Sequence, residues 1–307
     1  MSKQGFIPDV LDQPRMPSAP GVVLPPFSCD THCHVFGPYA KYPLQNPSNY
    51  PPPDAPVSRY LEMLDTVGIA RGVLVQPAPY GTDASAIIDA IALRKDQLRG
   101  VAVAAADATQ EDLSKLYEGG IRGLRFVEAR TPAGELFAGS VGFDTIDVLA
   151  PAMKQAGLHV QMWGPYDTYL KHLERLADLG IPLVIDHMAS LSIERGLDDP
   201  VFKLILRLLA QGKIWMKLSV CRVSKKAPFY DDLKPFHDAL LAANDDQVLW
   251  GSDWPYVRMG QAAPDVGQLI DLANDWLQDD ATRQKVWVKN PQKLYGFGQE
   301  AEVDNVV

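Results

Sequence analysis

The sequence predicts a single (β/α)8 TIM barrel, and three observations carry that prediction. Eight short apolar segments alternate with segments of helical spacing between residues 27 and 277, the pattern of parallel strands covered by helices. No GxGxxG follows any of the apolar segments and no Walker A sequence occurs, which argues against the open nucleotide-binding sheets. The last apolar segment, Val248-Leu-Trp-Gly-Ser-Asp253, runs into Trp254-Pro255. Proline ends ladder pairing there and leaves a carboxylate at the C-terminal end of a strand, the face on which barrels carry their chemistry.

Taken in order, residues 1–26 are proline-rich without periodicity and are expected as an extended arm. The first strand is expected over 27–35, where a period of two puts Asp30, His32 and His34 on one face and Cys29, Thr31 and Cys33 on the other. Residues 36–56 form a long connection, rich in Pro, Tyr and Asn, expected to fold over a site. A helix follows over 58–67 and stops at Gly68, then a strand over 71–78 and a helix opened by Asp83. Strands are expected at 100–104, 121–127, 158–164, 182–188, 214–220 and 248–254. Between them one helix opens at Thr109 with a Thr109–Asp112 capping box, and others span 144–156, 167–179, 201–210 and 230–243. A helix at 266–277 and a helical segment at 281–297 complete a barrel over 27–298, and an acidic tail is expected at 299–307.

The chain has 307 residues, 47% hydrophobic and 22% charged, enough for one large core. A net charge of −9 argues against nucleic acid or an anionic membrane as partner. Three cysteines without CxxC spacing fit a reducing compartment, and no apolar leader or 18-residue apolar run occurs. The expectation is a cytoplasmic protein with a small-molecule partner, its oligomeric state open.

His32 and His34 lie two residues apart on one strand, so both imidazoles project the same way. His187 closes the sixth strand and Asp253 the eighth, so all four groups should meet at the barrel mouth as catalytic residues or ligands of one metal ion. Burying three imidazoles and a carboxylate without function costs several kcal/mol of desolvation. Arg125, Arg130, Arg222 and Arg258 lie near strand exits and Trp163 on the fifth strand, candidate walls of a substrate pocket. Lys217 on the seventh strand is expected in a structural ion pair. Asp30 and Asp186 are candidate acceptors for the site histidines, whereas His159, His172 and His237 are expected in solvent.

His32-Cys33-His34, His187 and Gly251-Ser252-Asp253-Trp254-Pro255 resemble the amidohydrolase superfamily. Tyr50, Gln76 with Gly81-Thr82-Asp83, Arg122-Gly123 and Arg125-Phe126 extend that likeness to the lactonase branch containing 2-pyrone-4,6-dicarboxylate lactonase. The resemblance implies a barrel enzyme that opens a lactone. Asp253 would be the general base, His32, His34 and His187 would polarise the carbonyl, and Tyr50 and Arg125 would hold the substrate. Where that branch has a serine and two arginines that bind the substrate, this chain has Ala78, Thr131 (beside Arg130) and Ser190. Losing bidentate arginines should change the substrate before the reaction, towards a muconolactone, a sulfomuconolactone or a sugar-acid lactone.

The branch includes metal-free enzymes, so the expected cofactor is one Zn2+ or none, with His32, His34, His187 and Asp253 as ligands in the first case. A metal-dependent decarboxylase and a lactone isomerase are the alternatives the resemblance leaves open.

Overall fold

The computed structural model describes residues 5, 7, 8, 12–48 and 50–298. The expected acidic tail and part of the N-terminal arm lie outside the described residues. Eight parallel strands follow one another around a single sheet in chain order: β1 Cys29–Cys33, β2 Arg71–Val75, β3 Leu98–Ala102, β4 Ile121–Val127, β5 His159–Trp163, β6 Leu183–Ile185, β7 Trp215–Lys217 and β8 Val248–Leu249. The covering helices are α1 Val57–Val67, α2 Ser85–Leu93, α3 Gln110–Glu118, α4 Asp144–Ala156, α5 Tyr166–Ala177, α6 Pro200–Ala210, α7 Lys234–Asn244 and α8 Val266–Trp276. The sequence order, strand then helix throughout, is therefore the order in space, as expected of a (β/α)8 barrel.

Local signals fix several boundaries. Thr109 Oγ1 accepts from the Asp112 amide while the Asp112 carboxylate accepts from the Thr109 amide, the expected capping box at α3. Asp83 accepts from the Ser85 amide at 3.0 Å, so the turn it makes precedes α2 instead of capping it. Residues 281–297 form not one helix but two, α9 Asp280–Gln284 and α10 Asn290–Tyr295, joined by a π turn at Lys285–Lys289.

The barrel closes where β1 meets the chain beyond β8. β8 is shorter than expected, yet residues 250–254 continue alongside β1: the Thr31 amide donates to the Trp250 carbonyl at 3.1 Å, the Asp253 amide to His32 at 2.7 Å and the His34 amide to Trp254 at 2.8 Å. Gly251 permits this approach, because a Cβ there would lie 2.7 Å from the Cβ of His32. Asp30 fastens the seam by accepting from the Ser252 amide at 2.8 Å and its hydroxyl at 2.6 Å.

Strict alternation along β1 fails at this point. A register shift between Asp30 and Cys33 turns Asp30 outward to the Tyr60 hydroxyl of α1, while Cys29 joins the barrel-floor cluster with Val73, Val101 and Leu249. Asp30 therefore serves the seam and the His32 amide, not an imidazole. Tyr295, the last residue of α10, and Phe297, just beyond it, plug the floor of the barrel. His159 and His237 are buried, at 2% exposure each, against Tyr295 and Trp276 respectively, and His172 is buried beside Phe143, so none of the three lies in solvent as expected.

Candidate active site

The C-terminal end of β1 and the segments that follow β6 and β8 build the site. β1 delivers His32 and His34. The chain leaves β6 through Asp186 into a turn whose four residues, His187, Met188, Ala189 and Ser190, all have φ between 48° and 60°. Each left-handed residue other than glycine costs about 1–2 kcal/mol, so packing must hold this turn. Asp253, beyond β8, also sits at φ 62°.

All four groups are almost fully buried and converge. The Nε2 atoms of His32 and His34 are 3.4 Å apart, and each lies 3.5 Å from Asp253 Oδ1. His187 Nε2 stands 3.9 Å from the same oxygen. The other carboxylate oxygen of Asp253 accepts from Arg222 Nε, and Arg222 Nη1 donates to the Val257 carbonyl at 2.8 Å. Burial alone would raise the Asp253 carboxyl, but Arg222 and the imidazoles hold it well below the usual carboxylate range. Burial keeps the imidazoles neutral: His187 falls to about 4, His34 is lowered, and His32 is lowered well below its ordinary value despite Asp186.

His34 has its tautomer fixed. Its Nδ1 lies 2.7 Å from the Val75 carbonyl, which can only accept, so Nδ1 carries the proton and Nε2 is a bare acceptor. Asp253 Oδ1 and His34 Nε2 are thus two acceptors side by side, the arrangement that takes both protons of one water molecule. His32 sits behind them, outside the walls of the cavity, with its Nδ1 3.2 Å from Asp186 Oδ1.

A cavity of about 520 Å³ opens above this floor. His34, His187 and Asp253 line its base; Tyr50, Arg125, Trp163, Arg222 and Arg258 line its sides. Arg125 Nη2 reaches Asp186 Oδ2 at 3.5 Å, and Trp163 Nε1 donates to Ser190 Oγ at 3.2 Å. Burial raises the Tyr50 phenol, so it stays protonated. The guanidinium of Arg258 stands 5.4 Å from both the Tyr50 and Phe137 rings and makes no ion pair among the described residues. Ala78, Thr131 and Ser190 all line the cavity, so the positions where the sequence departs from the dicarboxylate-binding pattern are wall positions.

Arg130 is not brought to the cavity. Its guanidinium donates to Glu128 at 2.6 and 2.9 Å and to the Gly134 carbonyl at 2.9 Å. Gln161 is the polar residue that sequence reasoning passed over. It bridges Lys217 Nζ at 2.8 Å and Asp186 Oδ2 at 3.2 Å, and the signal was its place as an amide inside the apolar run of β5.

The donor atoms fit one divalent ion. Ligands 2.0–2.1 Å from a tetrahedral zinc stand about 3.3–3.4 Å apart, close to the spacing of His32 Nε2, His34 Nε2 and Asp253 Oδ1. His32, His187 and Asp253 also form a group of three potential ligands within 4.8 Å of one another.

The family model described as amidohydrolase matches residues 29–297. A 4-sulfomuconolactone hydrolase from Hydrogenophaga intermedia is 32% identical over 277 residues, 89% of this chain and 90% of that protein. A 2-pyrone-4,6-dicarboxylate hydrolase from Comamonas testosteroni is 30% identical, covering 96% of this chain and 98% of its own. An apo crystal structure from Agrobacterium tumefaciens superposes with a TM-score of 0.79 at 25% identity, covering 92% of this chain and all of that one. The barrel, the strand-end histidines with their facing aspartate, and these matches together make the chain an amidohydrolase-family hydrolase.

Proposed function

We propose that the protein hydrolyses a lactone by general-base attack of water, with Asp253 as base. The observation that carries this reading is the meeting of Asp253 Oδ1 with His34 Nε2 at the base of the cavity, two acceptors 3.5 Å apart. Relatives named as lactone hydrolases over most of their length support it. A water held between the two acceptors gives one proton to Asp253 as its oxygen attacks the lactone carbonyl. His187 and Arg125, facing the same space, stabilise the oxyanion. Collapse breaks the ring C–O bond, and the proton on Asp253 passes to the departing oxygen. The new carboxyl group ionises, so each turnover releases a proton.

A zinc ion held by His32, His34, His187 and Asp253 would polarise the carbonyl and acidify the water. In that case His32 must turn a bare Nε2 to the ion and place its Nδ1 proton on Asp186.

Ring opening of a panel of carboxylated, sulfonated and neutral lactones tests the reading, followed by proton release before and after chelation. Proton release with one member is the expected result. Conversion without proton release would replace hydrolysis by isomerisation, and carbon dioxide from an enol or aromatic acid would replace it by decarboxylation. Loss of activity on chelation with recovery on adding Zn2+ would identify the metal-loaded form as the working one; unchanged activity would assign the chemistry to the side chains.

Arg258 is expected to recognise an anionic substituent. Two aromatic rings leave the edge of its guanidinium free for a carboxylate or sulfonate. Replacing it, Arg258→Gln, should raise KM about 10–100-fold for an anionic lactone with little change in kcat, the size of a lost charged hydrogen bond. An equal rise for a neutral lactone would show that Arg258 only shapes the wall.

A further inference from the structure

The cavity has more room and less free charge than its catalytic floor needs. Its volume of about 520 Å³ lies among pockets that enclose a drug-sized ligand, about 300–1,000 Å³, so a bare lactone ring fills only part of it. Four arginines lie near the strand exits, and three are committed. Arg222 is bonded to Asp253 and to the Val257 carbonyl, and Arg130 to Glu128 and the Gly134 carbonyl. Arg125 stands 3.5 Å from Asp186 and is taken up with the oxyanion. Arg258 is the one of the four without an ion pair among the described residues, which leaves one cation for one acid group of a substrate.

The wall built by the loops after β2 and β4 is apolar down to its backbone. Pro77, Ala78 and Pro79 line it, and the two prolines bring no N–H. The Pro77 carbonyl accepts from the Tyr80 amide at 3.1 Å, the Ala78 carbonyl from Gly81 at 2.8 Å, and the Pro79 carbonyl from Gln45 and Asn46 at 2.9 Å. The second loop packs directly on the first at Gly139, where a Cβ would lie 1.9 Å from the Ala78 carbonyl oxygen. It adds Thr131, Pro132 and Phe137 to the same wall. Thr131 spends its amide on Glu135 and its carbonyl on Gly134, and its hydroxyl is buried away from the cavity space. Positions 78 and 131, where the dicarboxylate-binding pattern has a serine and an arginine, thus offer a substrate no polar side-chain atom.

A second carboxylate or a row of hydroxyls pressed on this wall would lose its water and gain no partner. Phe137, at one end of the wall, is also one of the two rings flanking Arg258, so the anion site adjoins the apolar one. We propose that the substrate is a lactone with one anionic group, held by Arg258, and an apolar alkyl or aryl substituent lying on the wall from Ala78 to Phe137. This rests on lactone hydrolysis at Asp253 and narrows it: dicarboxylated lactones and polyhydroxylated sugar-acid lactones are poor substrates.

Binding tests the pocket apart from turnover. Calorimetry compares 4-phenylbutyrate, a monocarboxylate with an apolar end, with the dicarboxylate glutarate. The expected result is about tenfold tighter binding of 4-phenylbutyrate with a negative heat-capacity change; equal or tighter binding of glutarate overturns the proposal. In Phe137→Asn, any disturbance of Arg258 acts on both probes, so the ratio of the two affinities isolates the apolar wall. That ratio should fall towards one, and an unchanged ratio in the folded variant overturns the proposal. Among lactones with one acid group, kcat/KM should rise about two- to fourfold for each methylene of an alkyl substituent from methyl to butyl; a flat or falling series overturns it. If no lactone is opened while 4-phenylbutyrate keeps its advantage and Phe137→Asn removes it, hydrolysis fails and the pocket assignment stands. If lactones are opened but glutarate binds the tighter, hydrolysis stands and the pocket assignment fails.

Discussion

Asp253→Asn is expected to lower kcat by about 10²–10⁴-fold while the barrel stays folded, the size of effect that removal of a general base has elsewhere. The substitution keeps the shape of the side chain and the Asp253 amide bond to His32 that closes the barrel. What it removes is the charge of the carboxylate whose Oδ1 stands 3.5 Å from His32 and His34 and 3.9 Å from His187. Because Arg222 and the imidazoles hold this carboxyl well below its ordinary value of 3.8, the base is ionised throughout the neutral range. An acid limb in kcat above pH 5 must therefore come from another group. Turnover by a folded Asp253→Asn protein at the parental rate would remove Asp253 from the mechanism.

Arg222→Met should have the largest effect on stability. Arg222 is the one guanidinium bonded to Asp253 among the described residues, and its side chain is only 19% exposed. Taking one partner from a buried pair costs about 3–5 kcal/mol, and the remaining exposure of Arg222 places this case at the lower end. The pH dependence has a definite sign. In the parent, the depressed carboxyl contributes stability that is complete above its unfolded value and lost as pH falls through the folded value. Without Arg222, burial pushes the carboxyl up, so the penalty is greatest at neutral pH and fades as acid protonates it. Denaturant midpoints at several pH values between 7 and 4 check this, and a penalty constant across that range would show that Arg222 contributes packing instead of charge.

Much of the molecule was legible from the sequence because the relevant signals are local. The alternation of apolar and helical segments, the Thr109 capping box and the two histidines two residues apart each depend on spacing that the fold preserves. The features that were missed depend on contacts between distant segments. The shift in β1 that turns Asp30 outward serves Ser252 and Tyr60, which no periodicity of β1 could reveal. Arg130 looked like a pocket residue by its position after β4, but an acid two residues earlier, Glu128, takes its guanidinium. His237 falls on the same helical stripe as Leu233, Phe236 and Leu240, all buried, so the spacing of α7 already argued against solvent. The tautomer of His34 was beyond reach, since it follows from a carbonyl on β2.

The seam between β1 and the end of β8 joins residues 222 positions apart, and the atoms that join it are next to those that do the chemistry. Closing the barrel and assembling the active site are therefore one event. During synthesis the first histidines leave the ribosome long before the aspartate they serve, and contacts between such distant segments form late. A nascent chain that still lacks its last strand holds the three histidines without Asp253 and is inert. Enzymatic activity in this protein is a report that the two ends of the barrel have met.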